Sequence, residues 1–342
     1  MAKIFFDLEG PISPQDNAYN VLGLAKNGKR VFEVISKYDD ILTIEGRENY
    51  EPGDTLKLIV PFLILNKISE RDITGVSKTA GVVPGVKEVI SKLTSDGWEV
   101  YIISTSYQQH AHNIAGHIGI DSERVACTEM PLDDYLLRLS DEDLEVVADM
   151  EEKILNELYP ELDEKRIVAE LDEFFFKTLS KGKIGDIFNE ITVVGGQRKV
   201  DAMMRFAKDN LTGAVAIGDS ITDFKMLEKV RENGGLAIAF NGNEYSIPYA
   251  DIAVGTVDQR FLLPIISAFA EGRRKHAIDT AKHLENAPLR TMLEAMPQDV
   301  ASTIPGDIVP PQYHHIDSNA EEVIEIHKEY RTLLRGDAGK LG

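Results

Sequence analysis

The chain has 342 residues, of which 43% are hydrophobic, and it carries a formal net charge of -20 at pH 7. At about 150 residues per domain, this length predicts two domains or one core with large insertions. The acidic balance argues against a nucleic-acid-binding surface, because phosphate backbones are bound by clustered Lys and Arg. The single cysteine, Cys127, excludes an internal disulfide and a cysteine zinc cluster.

The sequence does not predict a membrane-spanning segment or a signal peptide. The longest apolar run, Leu58 to Leu65, is far shorter than the roughly 20 residues of a membrane-spanning helix. The N-terminal sequence MAKIFFDLEG lacks the long apolar region of a signal peptide. Together with the lone cysteine, these features predict a cytoplasmic protein without a membrane partner.

Short runs of Ile, Val, Ala and Phe recur along the chain, each followed by turn residues and then by a helical pattern. This alternation is typical of a parallel sheet covered by helices. The predicted strands are KIFF before Asp7, EVYIIS around Ile102, AVAIG around Ile217, LAIAF around Ile238 and DIAV around Ala253. The sequence therefore predicts an α/β fold with a Rossmann-like parallel sheet.

Three segments interrupt this alternation, and they define the predicted domains. Residues 13–79 are helical in pattern and follow the first strand, so we expect a helical cap there. Residues 130–184 predict an acidic helical insertion, and residues 272–342 predict a C-terminal helical extension with a Pro-rich break at 304–312. The remaining core comprises residues 1–12, 80–129 and 185–271.

Polar side chains follow three of the predicted strands. Asp7 and Glu9 follow the first, Ser104 and Thr105 end the second, and Asp219 and Asp223 belong to the GDSITD turn after AVAIG. Taken alone, GDSITD is equally typical of a helix N-cap with an acidic first turn. Because catalytic groups in parallel sheets lie at the carboxyl ends of the strands, the recurrence predicts one shared site.

The order of these motifs, with Lys199 opening a helical segment before GDSITD, resembles the haloacid dehalogenase (HAD) superfamily of phosphatases. The segment VVPGVKEVISKLTSDGWEVYIIS also resembles the family's approach to its second motif. The resemblance covers roughly residues 1–12, 80–128 and 190–265 and implies a HAD-like Rossmannoid core. In layout it is closest to the phosphoserine phosphatase-like branch, which has a helical cap after the first strand.

The resemblance implies a role for each motif residue. Asp7 would be the nucleophile that forms a phosphoaspartate, and Ser104 and Lys199 would bind the transferring phosphoryl group. Mg²⁺ would be held by Asp7, the backbone carbonyl of Glu9 and Asp219, with Asp223 as a further ligand or as a residue that orients the others.

Glu9 departs from the common family pattern, which has Asp two residues after the nucleophile. Some branches, among them the enolase-phosphatases and a phosphoserine phosphatase-like branch with DLEG, carry Glu there. We therefore assign Glu9 as the general acid and base, a role worth about 10² to 10⁴ in rate. The alternative is that Glu9 only pairs with a cap residue and that catalysis is impaired.

The predicted cap offers candidates for substrate recognition. Asp16 falls where an acid recognises the substrate amine in the phosphoserine phosphatase branch, although a solvated helix cap is an equally good interpretation. The arginine expected for a substrate carboxylate has no clear counterpart, and Lys57 is the nearest base. Thr105, beside Ser104, is a third candidate for substrate binding.

Two further patterns have structural interpretations. The stripe of Leu162, Ile167, Leu171, Phe174 and Phe175 in the acidic insertion is better explained by packing than by a ligand groove. His314 and His315 could suggest a metal site, but without a neighbouring cysteine or third histidine we predict a surface loop.

The sequence thus predicts a Mg²⁺-dependent phosphohydrolase of a small phosphorylated metabolite, with phosphoserine as one candidate substrate. A phosphotransferase or phosphomutase would use the same residues. A third alternative is a HAD-like binding or assembly protein, such as a hydrogenase-associated subunit. The sequence leaves homo-oligomerisation open.

Overall fold

A computed structural model describes residues 2–161, 163–317, 320–336 and 339. Its centre is a seven-stranded sheet with the strand order β3-β2-β1-β4-β5-β6-β7. The strands are β1 Lys3–Phe6, β2 Glu99–Tyr107, β3 Val125–Thr128, β4 Ala214–Gly218, β5 Leu236–Phe240, β6 Ile252–Gly255 and β7 Gln312–His315. β1 to β6 run parallel, and β7 is antiparallel to β6. The predicted α/β class with a Rossmann-like parallel sheet is confirmed.

The α-helices are α1 Asn17–Leu22, α2 Gly28–Ile44, α3 Thr55–Leu58, α4 Val60–Leu65, α5 Glu70–Lys78, α6 Val86–Ser95, α7 Gln108–His117, α8 Leu132–Arg138, α9 Glu145–Lys153, α10 Glu164–Asp172, α11 Lys183–Glu190, α12 Gln197–Ala207, α13 Phe224–Glu232, α14 Leu263–Leu284, α15 Leu289–Glu294, α16 Gln298–Ala301 and α17 Ala320–Arg335. The π-helical segments Ile154–Leu158 and Glu173–Thr178 extend α9 and α10, and α14 is broken at Arg273.

Alternate side chains of the sheet enter two apolar layers, as strand geometry requires. Ile4 and Phe6 of β1 pack into a layer with α6, α7 and α14, whereas Phe5 packs into the opposite layer with α12 and α13. Helices therefore cover both faces of the sheet, and polar strand-end residues are left to meet at its carboxyl edge.

The cap and the acidic insertion pack together. Helices α1 to α5 and α8 to α11 share one apolar cluster, which joins Val31 and Phe62 to Phe174 and Phe188. The stripe residues Ile167, Leu171, Phe174 and Phe175 are buried there, as the packing interpretation predicted. Leu162 lies outside the described residues.

The C-terminal segment differs from the predicted all-helical extension, because it contributes β7 to the edge of the sheet. His314 pairs with Ala253 of β6 and is buried, so the surface-loop interpretation of this histidine was wrong. Within this QYHH strand, Tyr313 is fully buried and packs into one apolar layer of the sheet.

Among the described residues, none of the helices is both long enough and apolar enough to cross a membrane.

Candidate active site

Three carboxylates meet at the carboxyl edge of the sheet. Asp7 directly follows β1 and Asp219 directly follows β4, and these strands are neighbours with Phe6 paired to Ile217. The backbone N–H of Asp7 donates to the carbonyl of Ile217 at 2.8 Å, which holds the two strand ends side by side. Asp7, Asp219 and Asp223 are buried, and each offers a ligand atom within 4.8 Å of the others.

Lys199 connects two of these carboxylates from the first turn of α12. Its Nζ donates to Oδ1 of Asp7 and to Oδ1 of Asp223, each at 2.7 Å, and its side chain is fully buried. Burial raises the pKa of Asp7 well above its usual range, the charge of Asp223 adds to this, and Lys199 opposes it. Burial disfavours the charged amine, but Asp223 and Asp7 outweigh it and raise the pKa of Lys199.

Asp223 also shapes the turn after β4. Its Oδ2 accepts from the backbone N–H groups of Asp219 at 3.0 Å and Ser220 at 3.1 Å. Its side chain makes no capping bond to α13, which begins at Phe224. Asp223 is therefore more than a plain N-cap. Its carboxylate fixes the position of Asp219 and binds Lys199.

Close approach requires glycine at two turns of this site. Gly10 has a φ of +107°, and a Cβ there would lie 2.3 Å from Oδ2 of Asp219. Gly196 has a φ of +48°, and a Cβ there would lie 2.1 Å from Oε2 of Glu51. The second contact brings the cap loop against the start of α12, where the N–H of Gln197 donates to Glu51.

Glu9 faces the cavity beside the cap. Its Oε1 accepts from the backbone N–H of Asn17 at 2.9 Å, at the start of α1. Desolvation and the neighbouring charge of Asp16 raise the pKa of Glu9 to about 7. A carboxyl with this pKa can hold a proton near neutral pH, as a general acid must.

The second motif is less regular than predicted. β2 continues to Tyr107 instead of ending at Ser104, but its pairing with β3 is interrupted between Ile103 and Tyr107. Ser104 lies in this irregular part, fully buried, and its Oγ accepts from the N–H of Ser106 at 3.1 Å. Thr105 lines the cavity, and its buried Oγ1 has no hydrogen-bond partner among the described residues.

The two cap candidates have different positions. Asp16 is the N-cap of α1, where it accepts from Tyr19 N at 2.8 Å, and it also lines the cavity. Lys57 does not line the cavity, because α3 directs its ammonium over the ring of Phe188, 4.3 Å from the centroid. The expectation that Lys57 binds the substrate therefore lacks support from its position.

The site opens into a cavity of about 90 Å³ between the sheet edge and the cap. Its charged lining is mostly acidic, with five carboxylic acids and two arginines. The lining residues are Asp7, Glu9, Asp16, Phe32, Ser36, Asp39, Asp40, Gly53, Thr55, Leu56, Thr105, Ser220, Ile221, Thr222, Arg331 and Arg335.

Two arginines from the C-terminal helix α17 were not predicted. Arg331 donates through Nη1 to Oδ2 of Asp219, and Arg335 donates to the same oxygen at 2.8 Å. Their side chains are 3% and 5% exposed. The i, i+4 spacing that places both on one helix face was visible in the sequence, but nothing local indicated its destination.

The three aspartates fit a hard divalent cation. Carboxylate oxygens are the ligands that Mg²⁺ prefers. Among the described residues, Oδ1 of Asp219 is buried and has no hydrogen-bond partner, while the arginines occupy Oδ2. An unpartnered buried carboxylate oxygen is costly unless a cation binds it. Asp7 and Asp219 could thus act as ligands, with Asp223 as a ligand or as the residue that orients Asp219.

No protein-family model matches the sequence, and no curated protein matches it. Among solved structures, a gene product of Archaeoglobus fulgidus superposes with a TM-score of 0.78 at 29% identity, covering 100% of this chain and 99% of its own. A substrate-bound phosphoserine phosphatase gives a TM-score of 0.46 at 17% identity, covering 76% of this chain and 96% of its own. A probable phosphoserine phosphatase of Vibrio cholerae gives 0.44 at 18% identity, covering 73% and 59%.

The Archaeoglobus structure shares the fold over the whole chain, cap and C-terminal segment included. The phosphatases superpose only in part. The fold itself agrees with the predicted resemblance, because the parallel sheet of the α/β core brings the predicted motif residues to its carboxyl edge.

Proposed function

We propose that the protein is a Mg²⁺-dependent phosphohydrolase that acts on a small phosphorylated metabolite through a phosphoaspartate at Asp7. The observation that carries the proposal is the bridge from Lys199 to both Asp7 and Asp223 beside the open carboxylate oxygen of Asp219. Such a cluster combines a nucleophile with buried positive charge, which phosphoryl transfer requires.

In this mechanism one oxygen of Asp7 attacks phosphorus, and the bond from phosphorus to the leaving oxygen breaks. Lys199 binds the other Asp7 oxygen and keeps positive charge beside the phosphoryl group. A Mg²⁺ ion held by Asp7, Asp219 and the Glu9 carbonyl would supply further positive charge to the phosphoryl oxygens. Ser104 Oγ accepts its local bond from the N–H of Ser106, and its O–H would donate to the same phosphoryl group.

Glu9 is suited to move the proton. With its pKa near 7, it can give a proton to the leaving oxygen in the first step. As the carboxylate, it then takes a proton from the water that attacks phosphorus and releases phosphate from Asp7. Its bond to Asn17 N holds the carboxyl at the cap side of the cavity, where the leaving group would lie.

The cap is proposed to select the substrate. Residues 13–79 form this cap over the core, which comprises residues 1–12, 80–129 and 185–271. Residues 130–184 pack against the cap through the shared apolar cluster. Asp16 and Thr105 are the residues of the predicted set that line the cavity and could contact the substrate.

The test is phosphate release from a panel of phosphorylated metabolites, with Mg²⁺ and with the metal removed by a chelator. Wild type is compared with Asp7→Asn and with Asp279→Asn, an exposed aspartate on α14 that does not line the cavity. We expect turnover that requires Mg²⁺ and Asp7 and is unchanged in the control. Metal-independent turnover, or turnover that survives in Asp7→Asn, would refute the assignment.

A further inference from the structure

The C-terminal helix α17 is held in a defined position beside the cavity. Nε2 of His327 lies 3.0 Å from Nδ1 of His314 on β7, and both side chains are buried. One turn later, the hydroxyl of Tyr330 donates to the carbonyl of Pro310 at 2.6 Å. These contacts join the last turns of α17 to the edge of the sheet.

From this position the last two arginines of α17 extend to the end of β4. Arg331 donates through Nη1 to the carbonyl of Asp219 at 3.2 Å and through Nε to the carbonyl of Gly339 at 3.0 Å. Arg335 donates through Nη1 to Oδ2 of Asp219 and through Nε to the carbonyl of Pro14 at 3.3 Å. A guanidinium has five N–H groups, and toward the described residues Arg335 uses two of them.

The two arginines change the charge that an entering anion meets. The carboxylates that line the cavity are Asp7, Glu9, Asp16, Asp39 and Asp40. Within the described part of the chain, Arg331 and Arg335 are the cationic residues of this lining, since Lys199 lies behind Asp7 and Asp223. The acidic wall repels a phosphate dianion, and the two arginines offset part of this repulsion inside the cavity.

We propose that Arg331 and Arg335 bind the phosphate group in the cavity, so that the C-terminal helix completes the substrate site. The inference builds on the proposed function, which supplies phosphate as the anion. The planar guanidinium matches phosphate oxygens in paired hydrogen bonds, which a lysine cannot reproduce.

The test is the affinity for inorganic phosphate, measured by calorimetry on the full chain with Mg²⁺ present. Arg331→Gln and Arg335→Gln are compared with Arg290→Gln, which removes one positive charge from an exposed arginine of α15. We expect the dissociation constant to rise about tenfold to hundredfold in each cavity variant and to stay unchanged in the control. Hydrogen exchange across α17 establishes that the helix remains folded.

Unchanged phosphate affinity in Arg335→Gln, with α17 still protected from exchange, overturns the inference. Wild type that binds no phosphate at millimolar concentrations also overturns it. If a glutamine variant loses α17, Arg335→Lys decides the matter, because it keeps the charge but cannot make paired bonds. Its affinity should fall severalfold, and an unchanged value again overturns the inference.

The outcome is distinguishable from that of the phosphatase test. Wild type that binds phosphate through both arginines but hydrolyses no phosphoester would leave the anion site in place and remove the catalytic assignment. If the protein is a metal-dependent phosphatase but neither arginine variant changes its affinity for phosphate, the catalytic assignment stands and the anion site is removed.

Discussion

Lys199 Nζ and Asp7 Oδ1 lie 2.7 Å apart, although 192 positions separate the two residues in the sequence. The same nitrogen binds Asp223, so one buried ammonium faces two buried carboxylates. This relationship links catalysis to stability, because each charge would be costly to bury without the others.

Replacing Lys199 with Met should therefore affect both properties. We expect activity to fall at least a hundredfold and the free energy of unfolding to fall by about 3 to 5 kcal/mol, as for a broken buried ion pair. Urea denaturation measures the second effect. Adding Asp223→Asn to the lysine variant should restore part of the stability, since it removes one of the unpaired charges. A double variant that is less stable than Lys199→Met would contradict this explanation.

Glu9→Gln should show how much proton transfer by Glu9 contributes to the rate. Glutamine keeps the size of the side chain but cannot protonate the leaving oxygen, so the rate with an alkyl phosphate should fall by about 10² to 10⁴. An aryl phosphate with an acidic leaving group needs less protonation and should lose less rate in its first step. Single-turnover kinetics with the two substrates compare these losses. Equal losses would mean that Glu9 has a structural role.

Gly10→Ala should abolish activity because a methyl group would collide with the carboxylate of Asp219. Gly119 provides a matched control: its φ of +84° carries a similar backbone strain, but a Cβ there would meet no atom within 4 Å. We expect both alanine variants to lose some stability and only Gly10→Ala to lose turnover. If both retain turnover, Asp219 is not held at the position that the site requires.

The histidine contact that anchors α17 predicts a pH dependence of stability. Burial and His314 lower the pKa of His327 to about 3, below that of an unfolded histidine near 6.5. Its contribution to stability is present above pH 6.5 and is lost as the pH falls toward 3. Between pH 7 and pH 4 the loss should be about 3 kcal/mol.

Unfolding of wild type and His327→Gln across this pH range measures that loss by difference. The variant should show a weaker acid dependence than wild type, whereas His117→Gln, at an exposed position on α7, should match wild type. Parallel pH profiles for wild type and His327→Gln would show that the buried histidine does not titrate with unfolding.

The centre of the candidate site was predictable because its signals are local. Asp7 and Asp219 each follow a short buried strand, and neighbouring parallel strands bring their ends together. The sheet order and the burial of Lys199 follow from packing, but the residue types already indicated the chemistry.

The remaining parts of the site depend on distant packing. Arg331 lies 112 positions after Asp219, in a helix whose sequence resembles any amphipathic surface helix. β7 is four residues long and gains its strand conformation by pairing with β6. Lys57 was the nearest base along the sequence, but the direction of α3 turns it toward Phe188. None of these outcomes has a local sequence signal.

The proposed function requires that Asp7 becomes covalently phosphorylated during turnover. The most direct measurement is the intact mass of the protein, acid-quenched within milliseconds of mixing with a reactive aryl phosphate and Mg²⁺. We expect a transient adduct of one phosphoryl group, located on Asp7 by peptide mapping and missing in Asp7→Asn. Turnover without an adduct at any time point, or an adduct that persists in Asp7→Asn, would contradict it.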